Sequence, residues 1–214
     1  MLKVVGLEGG PCGGKTTAVE YIANSAHTLG IQTVVINEPA TEQLTLLAQR
    51  GLDYSDIRDN PDEHLRFQTE ILRTVHRGIR RCRHMQAAQQ SDMLVLVDRP
   101  DIKAYVSDDL YQQAYTSLGY MAPPFYTQVE TLLYFPTVAK QSVELYDRLA
   151  SNNKYRYESA EQAIATCDAN FEAIKGHPNV WILNEESFER SLRYAANIAL
   201  RGFSASAPKA LANN

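Results

Sequence analysis

The sequence predicts an α/β fold: a five-stranded parallel sheet with helices on both faces and a helical lid. Two observations predict it. Short β-branched apolar runs alternate along the whole chain with longer stretches of helical period, the pattern of strands joined by right-handed helical crossovers. A glycine-rich turn also joins the first strand directly to the first helix.

Lys3–Glu8 is Val-rich and followed by glycines, as a buried strand would be. Thr16–Leu29 places apolar residues at 18, 19, 22, 23, 26 and 29, and Gly30 closes that helix. Ile31–Asn37 is a second β-branched strand, stopped by Pro39. Thr41–Arg50 reads as a helix and Gly51–Asn60 as a polar connection. Asn60-Pro61-Asp62-Glu63 is a helix start, with an N-cap, a first-turn proline and acids at the positive dipole end. Leu65, Gln68, Leu72, Val75, Ile79 and Cys82 mark one face of the long helix that follows, to about Gln90. Asp92–Asp98 is apolar enough for a central strand. Residues 100–130 read as helical and Tyr-rich, broken at Gly119 and Pro123-Pro124. Thr131–Phe135 is a fourth strand, Val180–Leu183 a fifth, and Ser187–Arg201 a closing helix. Between the last two strands, 138–175 is helical and charged, interrupted near Ser151-Asn152-Asn153. The expected organisation is one domain over 1–202, with a lid at about 138–175 and a flexible tail at 203–214.

The 214 residues suffice for one such domain and a real core. A net charge of −4 does not favour a chain built to coat nucleic acid. Cys12, Cys82 and Cys167 are far apart and form no CxxC pair, which argues against a disulfide framework or a cysteine zinc site. With no apolar run of bilayer length, the expectation is a cytoplasmic protein with no membrane partner.

Gly9-Gly10-Pro11-Cys12-Gly13-Gly14-Lys15-Thr16 satisfies GxxxxGK[ST] between a strand and a helix. The glycines let backbone N–H groups turn inward around phosphates, and the helix N-terminus adds positive partial charge. This is a P-loop for a nucleoside triphosphate, ATP or another. Lys15 is expected on the β- and γ-phosphates, with Thr16 on Mg²⁺ and Thr17 beside it. Cys12 reads as a small loop residue.

Ligands of open α/β sheets bind beyond the carboxyl ends of the strands. There the second strand ends in Glu38-Pro39, where a carboxylate would take a proton from an attacking hydroxyl. The third ends in Asp98-Arg99-Pro100, with Asp98 a second Mg²⁺ anchor and Arg99 a cation for the transferred phosphoryl group or the acceptor. Arg148 and Arg156 are candidates to reach the phosphates from the lid, which would exclude water. Gln68 has donors and an acceptor for a base edge. Nine of the twelve tyrosines lie between Tyr105 and Tyr157, where rings would wall an acceptor site or simply pack a core. Arg73, His76, Arg77, Arg80, Arg81, Arg83 and His84 cluster near the end of the long helix, a solvated face or a grip on an anionic partner such as RNA.

Taken together, Gly9–Thr17, Glu38-Pro39, Phe67-Gln68 and Asp98-Arg99 resemble the P-loop nucleoside and nucleotide kinases. Glu38-Pro39 is similar to the Glu-Pro of deoxynucleoside and thymidylate kinases, and in the former the resemblance implies a general base. Phe67-Gln68 resembles the deoxynucleoside kinase Phe-Gln, whose glutamine reads the base. Arg148 and Arg156-Tyr157-Glu158 look like lid arginines. The order of segments is also similar to AAA-type predicted ATPases related to a ribosylnicotinamide kinase domain. Pro100 and Ala40-Thr41-Glu42 depart from the kinase patterns and leave the acceptor open. The resemblance implies ATP- and Mg²⁺-dependent phosphoryl transfer to a small nucleoside-like acceptor. The alternative is an NTP-hydrolysing switch acting on a protein or RNA. Pairing of two copies through the long helix is an analogy only.

Overall fold

The structure is a computed structural model that describes residues 1–121, 125–151 and 158–203, without the side chains of 125 and 126. Five strands form one parallel sheet: β1 (Leu2–Gly9), β2 (Gln32–Ile36), β3 (Met93–Asp98), β4 (Thr131–Phe135) and β5 (Val180–Ile182). Their spatial order is β2-β3-β1-β4-β5, so β1 is central. Its register sets Leu7 beside Asp98 on one side and Gly9 beside Phe135 on the other. The carboxyl ends of β1, β3 and β4 therefore meet at one edge, where the strand order changes direction.

Period-two alternation in β1 sends Val5 and Leu7 to one face and Val4 to the other. The first face is covered by α1 (Lys15–Thr28) and α9 (Phe188–Leu200), through Ala18, Ile22, Ala195 and Ala199. The second is covered by α4 (Pro61–Gln89) and α8 (Ala160–Ile174), through Val75, Ile79, Cys167 and Ile174. α2 (Pro39–Gln49), α3 (Tyr54–Arg58) and α5 (Asp108–Ser117) pack on the N-terminal half of α4 in a smaller apolar cluster. One-turn α6 (Phe125–Gln128) precedes β4, and α7 (Val143–Ser151) follows a tight turn at Val138–Lys140.

The fold class holds as predicted, and four local expectations change. Pro39 does not merely stop β2: it opens α2, because a proline at the first helical position has no N–H to waste. The polar connection Gly51–Asn60 contains α3, started by an Asp53–Asp56 capping box. Of the 138–175 segment, α8 buries Cys167 and Ile174 against the sheet, while its first turns (Ala160, Ala163) pack on α7 and the turn before it, so α7 and that turn are the part left beside the loop. Phe203, placed in the tail, packs against the core; 204–214 lie outside the described residues.

Candidate functional site

The glycine loop leaves β1 through a backbone that only glycine tolerates. Gly9 has φ 138°, and a Cβ there would sit 1.9 Å from the Phe135 carbonyl oxygen. Gly14, at φ 87°, precedes α1 and packs so tightly on Phe188 that a Cβ would lie 2.3 Å from its ring. The loop is pinned from three elements. Gly10 N–H donates to Phe135 O at 3.2 Å, the Thr137 hydroxyl to Pro11 O at 2.6 Å, and the Asn170 amide to Gly9 O at 3.1 Å. The α1 N-terminus has no side-chain cap and no acid in its first turn. Its amides therefore have no protein anion to satisfy them, which suits a phosphate.

Lys15 is buried, and its Nζ donates to Gly9 O and Gly10 O, both at 3.0 Å. Burial, aided by the nearby Arg99 guanidinium, lowers its pKa to about 8, against Asp98, Glu8 and Glu38. Asp98 closes β3 with a buried Oδ1 that has no partner, and burial raises its pKa. Arg99 follows at φ 54°, a left-handed backbone rare for a branched or bulky residue, with its N–H bound to Leu7 O at 3.0 Å. That turn aims its guanidinium at Glu38, with Nη1 2.6 Å from Oε1, and sets it 5.4 Å above the Tyr105 ring. Glu38, which would cap α2, makes no cap bond; its carboxylate faces Arg99 instead.

Three cavities meet here. One of about 310 Å³ is lined by Glu38, Arg99, Asp101, Tyr105, Glu158, Gln68, Phe67, Tyr54, Ile102 and aliphatic side chains of α2 and α4. A second, of about 580 Å³, lies on the opposite side of the loop between Cys12–Gly14, Thr17, α7 (Leu145, Leu149) and the β5–α9 connection. A third, of about 550 Å³ and open, holds Thr16, Glu38, Thr74 and Asp98. Thr16 and Asp98 thus face one space, and a divalent cation fits it: Asp98 Oδ1 is buried, unpartnered and anionic when ionised.

The structure brings Lys15, Thr16, Glu38, Asp98 and Arg99 into one cluster, and Gln68 lines the smallest of these three cavities. Its amide nitrogen lies 3.1 Å from His64 Nε2 and donates to Tyr54 OH at 3.4 Å. Arg148 is exposed on α7 and lines none of the three cavities; Arg156 lies outside the described residues. Of the tyrosines between 105 and 157 whose side chains are described, only Tyr105 lines the 310 Å³ cavity, joined by Tyr54 from α3. Tyr111 and Tyr115 are core residues whose hydroxyls donate to Asp101 Oδ2 at 2.9 and 3.1 Å. His76 belongs to no surface cluster: it is buried against Gln128.

Four residues at the site were not found from the sequence. Glu8 is a carboxyl at 3 % exposure, one position before the loop, raised to about 8 by burial against the pull of Arg99 and Lys15. Asp101 is likewise buried and raised to about 6, with bonds from Tyr111, Ile102 N–H, Tyr115 and Lys103 N–H holding it lower than burial alone would. Thr137 and Asn170 tie the loop down. An acid ending an otherwise apolar strand was the available clue to Glu8.

An uncapped helix after a glycine turn, a buried lysine on the turn's carbonyls and an acid ending the adjacent strand define a P-loop nucleotide-binding protein. Residues 4–190 match the family described as AAA domain, and the chain belongs to that family. No curated protein sequence matches it. Among the described residues no helix is long and apolar enough to cross a membrane.

Proposed function

We propose that the protein transfers the γ-phosphoryl group of ATP, with Mg²⁺, to a hydroxyl or phosphate of a small nucleoside-like acceptor. The observation that carries this is the Glu38–Arg99 pair on the wall of the 310 Å³ aromatic-lined cavity, beside Asp98 and Thr16. A simple hydrolase needs no second, walled cavity next to a carboxylate.

Lys15 and the loop amides hold the β- and γ-phosphates, and the 580 Å³ cavity takes the nucleoside end of ATP. Thr16 and Asp98 would hold Mg²⁺, which supplies charge neutralisation on the phosphates. Glu38 accepts the proton of the acceptor hydroxyl as its oxygen bonds to the γ-phosphorus, and the bond to the β–γ bridging oxygen breaks to release ADP. Arg99 offsets charge on the group in transit. The test is ATP consumption with Mg²⁺, alone and against nucleosides, nucleoside monophosphates, ribosylnicotinamide and a 5′-hydroxyl oligonucleotide. Consumption that rises with one acceptor and yields its phosphorylated product is expected.

A second reading, a slow NTP-driven switch with a protein or RNA partner, rests on α4. Arg77, Arg80, Arg81 and His84 recur at three- and four-residue spacing and are exposed, with Arg83 alongside. Slow consumption that no acceptor changes, but RNA or a protein does, would favour it.

A further inference from the structure

The proposed chemistry makes two demands on one carboxylate. Glu38 must face the incoming hydroxyl, yet its Oε1 already holds the Arg99 guanidinium at 2.6 Å. While that ion pair holds, this oxygen is engaged and does not face the hydroxyl. A guanidinium as enclosed as that of Arg99, whose side chain is 20 % exposed, is costly to leave without a counter-charge. Arg99 therefore needs a second seat.

The surrounding acids differ in what they can offer. Asp101 is filled: its Oδ1 accepts from Ile102 N–H and Lys103 N–H, and its Oδ2 from the Tyr111 and Tyr115 hydroxyls. Asp98 also has a buried Oδ1, but it faces the open cavity with Thr16, where it would hold the cation. Glu158, which borders the same cavity as Arg99, is exposed. Glu8 remains. Among the described residues its Oε2 is buried without a partner, and so is the Nε of Arg99, an orphan acceptor and an orphan donor in one cluster. The two side chains already interact electrostatically.

We infer that Glu8 is a positioning residue for Arg99: a second carboxylate seat that takes the guanidinium when Glu38 turns to the acceptor hydroxyl. The inference rests on the proposed role of Glu38, but the two seats are a property of the ligand-free protein and are tested there. The experiment is a thermal-stability cycle at pH 9, where Glu8 is ionised in the folded protein, with Glu8→Gln, Glu38→Gln and the double variant. Each single change leaves Arg99 one carboxylate, so each moves Tm by only a few degrees. The double change removes both, and Tm falls by roughly 6 °C or more beyond the sum of the single shifts. Loss of the fold in the double variant alone is the same result at its limit; additive shifts overturn the inference. A crystal structure of Glu38→Gln gives a second readout that does not depend on Glu8→Gln folding. Arg99 is expected within hydrogen-bond distance of Glu8, and an Arg99 still seated on the amide that replaces the Glu38 carboxylate overturns it. Absence of acceptor-dependent turnover would sink the proposed function and leave both readouts standing.

Discussion

Glu8 is held in a place where its charge is expensive, and this has a consequence for pH. Its folded pKa, about 8, lies above the ordinary 4.5 of a free glutamate, so between those values the folded protein binds more protons than the unfolded chain. Stability is fully present below the unfolded pKa and is lost as pH rises toward 8. Asp101, raised to about 6, acts in the same direction lower in the range. Glu8→Gln removes only the first contribution. Denaturant unfolding at pH 5, 6, 7 and 8 should show the variant gaining on the parent as pH rises; a constant difference would mean that Glu8 is ionised throughout. At Glu38 the expected effect is on rate. Glu38→Gln should lower kcat by on the order of 10²–10⁴ while ATP affinity stays within a few-fold, and unchanged kcat would remove it as the base. Lys15, Thr16, Glu38 and Asp98 were legible because phosphate and metal chemistry demands those residue types next to strand ends. Glu8, Thr137 and Asn170 were not, because a lone acid, threonine or asparagine acquires meaning only when the register of β1 against β4 and the docking of α8 bring it to the loop.

α4 shows how one element serves both stability and site. Its first turn is fixed by the Asn60 side chain, which accepts from the Asp62 and Glu63 N–H groups at 3.2 and 3.3 Å. Two turns on, Phe67 and Gln68 line the 310 Å³ cavity. Further along, Gly78 lets the helix lie on β2, where a Cβ would meet Ile36 Cδ1 at 2.6 Å. Asn60→Ala should cost about 1 kcal/mol of unfolding free energy, measured by denaturant titration. The Asn-Pro-acid start was readable because each residue acts locally. The 138–175 segment was harder to divide, since α7 and α8 both mix apolar with charged residues and differ in what they touch. α8 carries Cys167 and Ile174 on a face that only the assembled sheet identifies as buried. α3 was hidden for the opposite reason: at five residues it is too short to show a period, and its capping box lay unread in a polar stretch.

At the scale of the whole molecule, the loop is a joint between the layers. β1 leads into it, α1 leaves it, Phe135 and Thr137 hold it from the β4 end, and Asn170 holds it from α8 on the opposite face. A ligand that occupies the loop therefore stabilises contacts across the entire sheet, and unfolding should respond as a single transition. A non-hydrolysable ATP analogue with Mg²⁺, at a hundred times its Kd, adds about 2.7 kcal/mol to the folded state, which for a chain of this size is a rise in Tm of roughly 5–10 °C. Lys15→Ala should abolish most of that shift, because the cation that meets the phosphates is gone. Its ligand-free unfolding should stay cooperative, because the loop keeps its bonds to Phe135, Thr137 and Asn170. A Lys15→Ala protein that retains the full rise would place the nucleotide elsewhere, and one that melts in two steps without ligand would show that Lys15, through Gly9 O and Gly10 O, is what couples the layers.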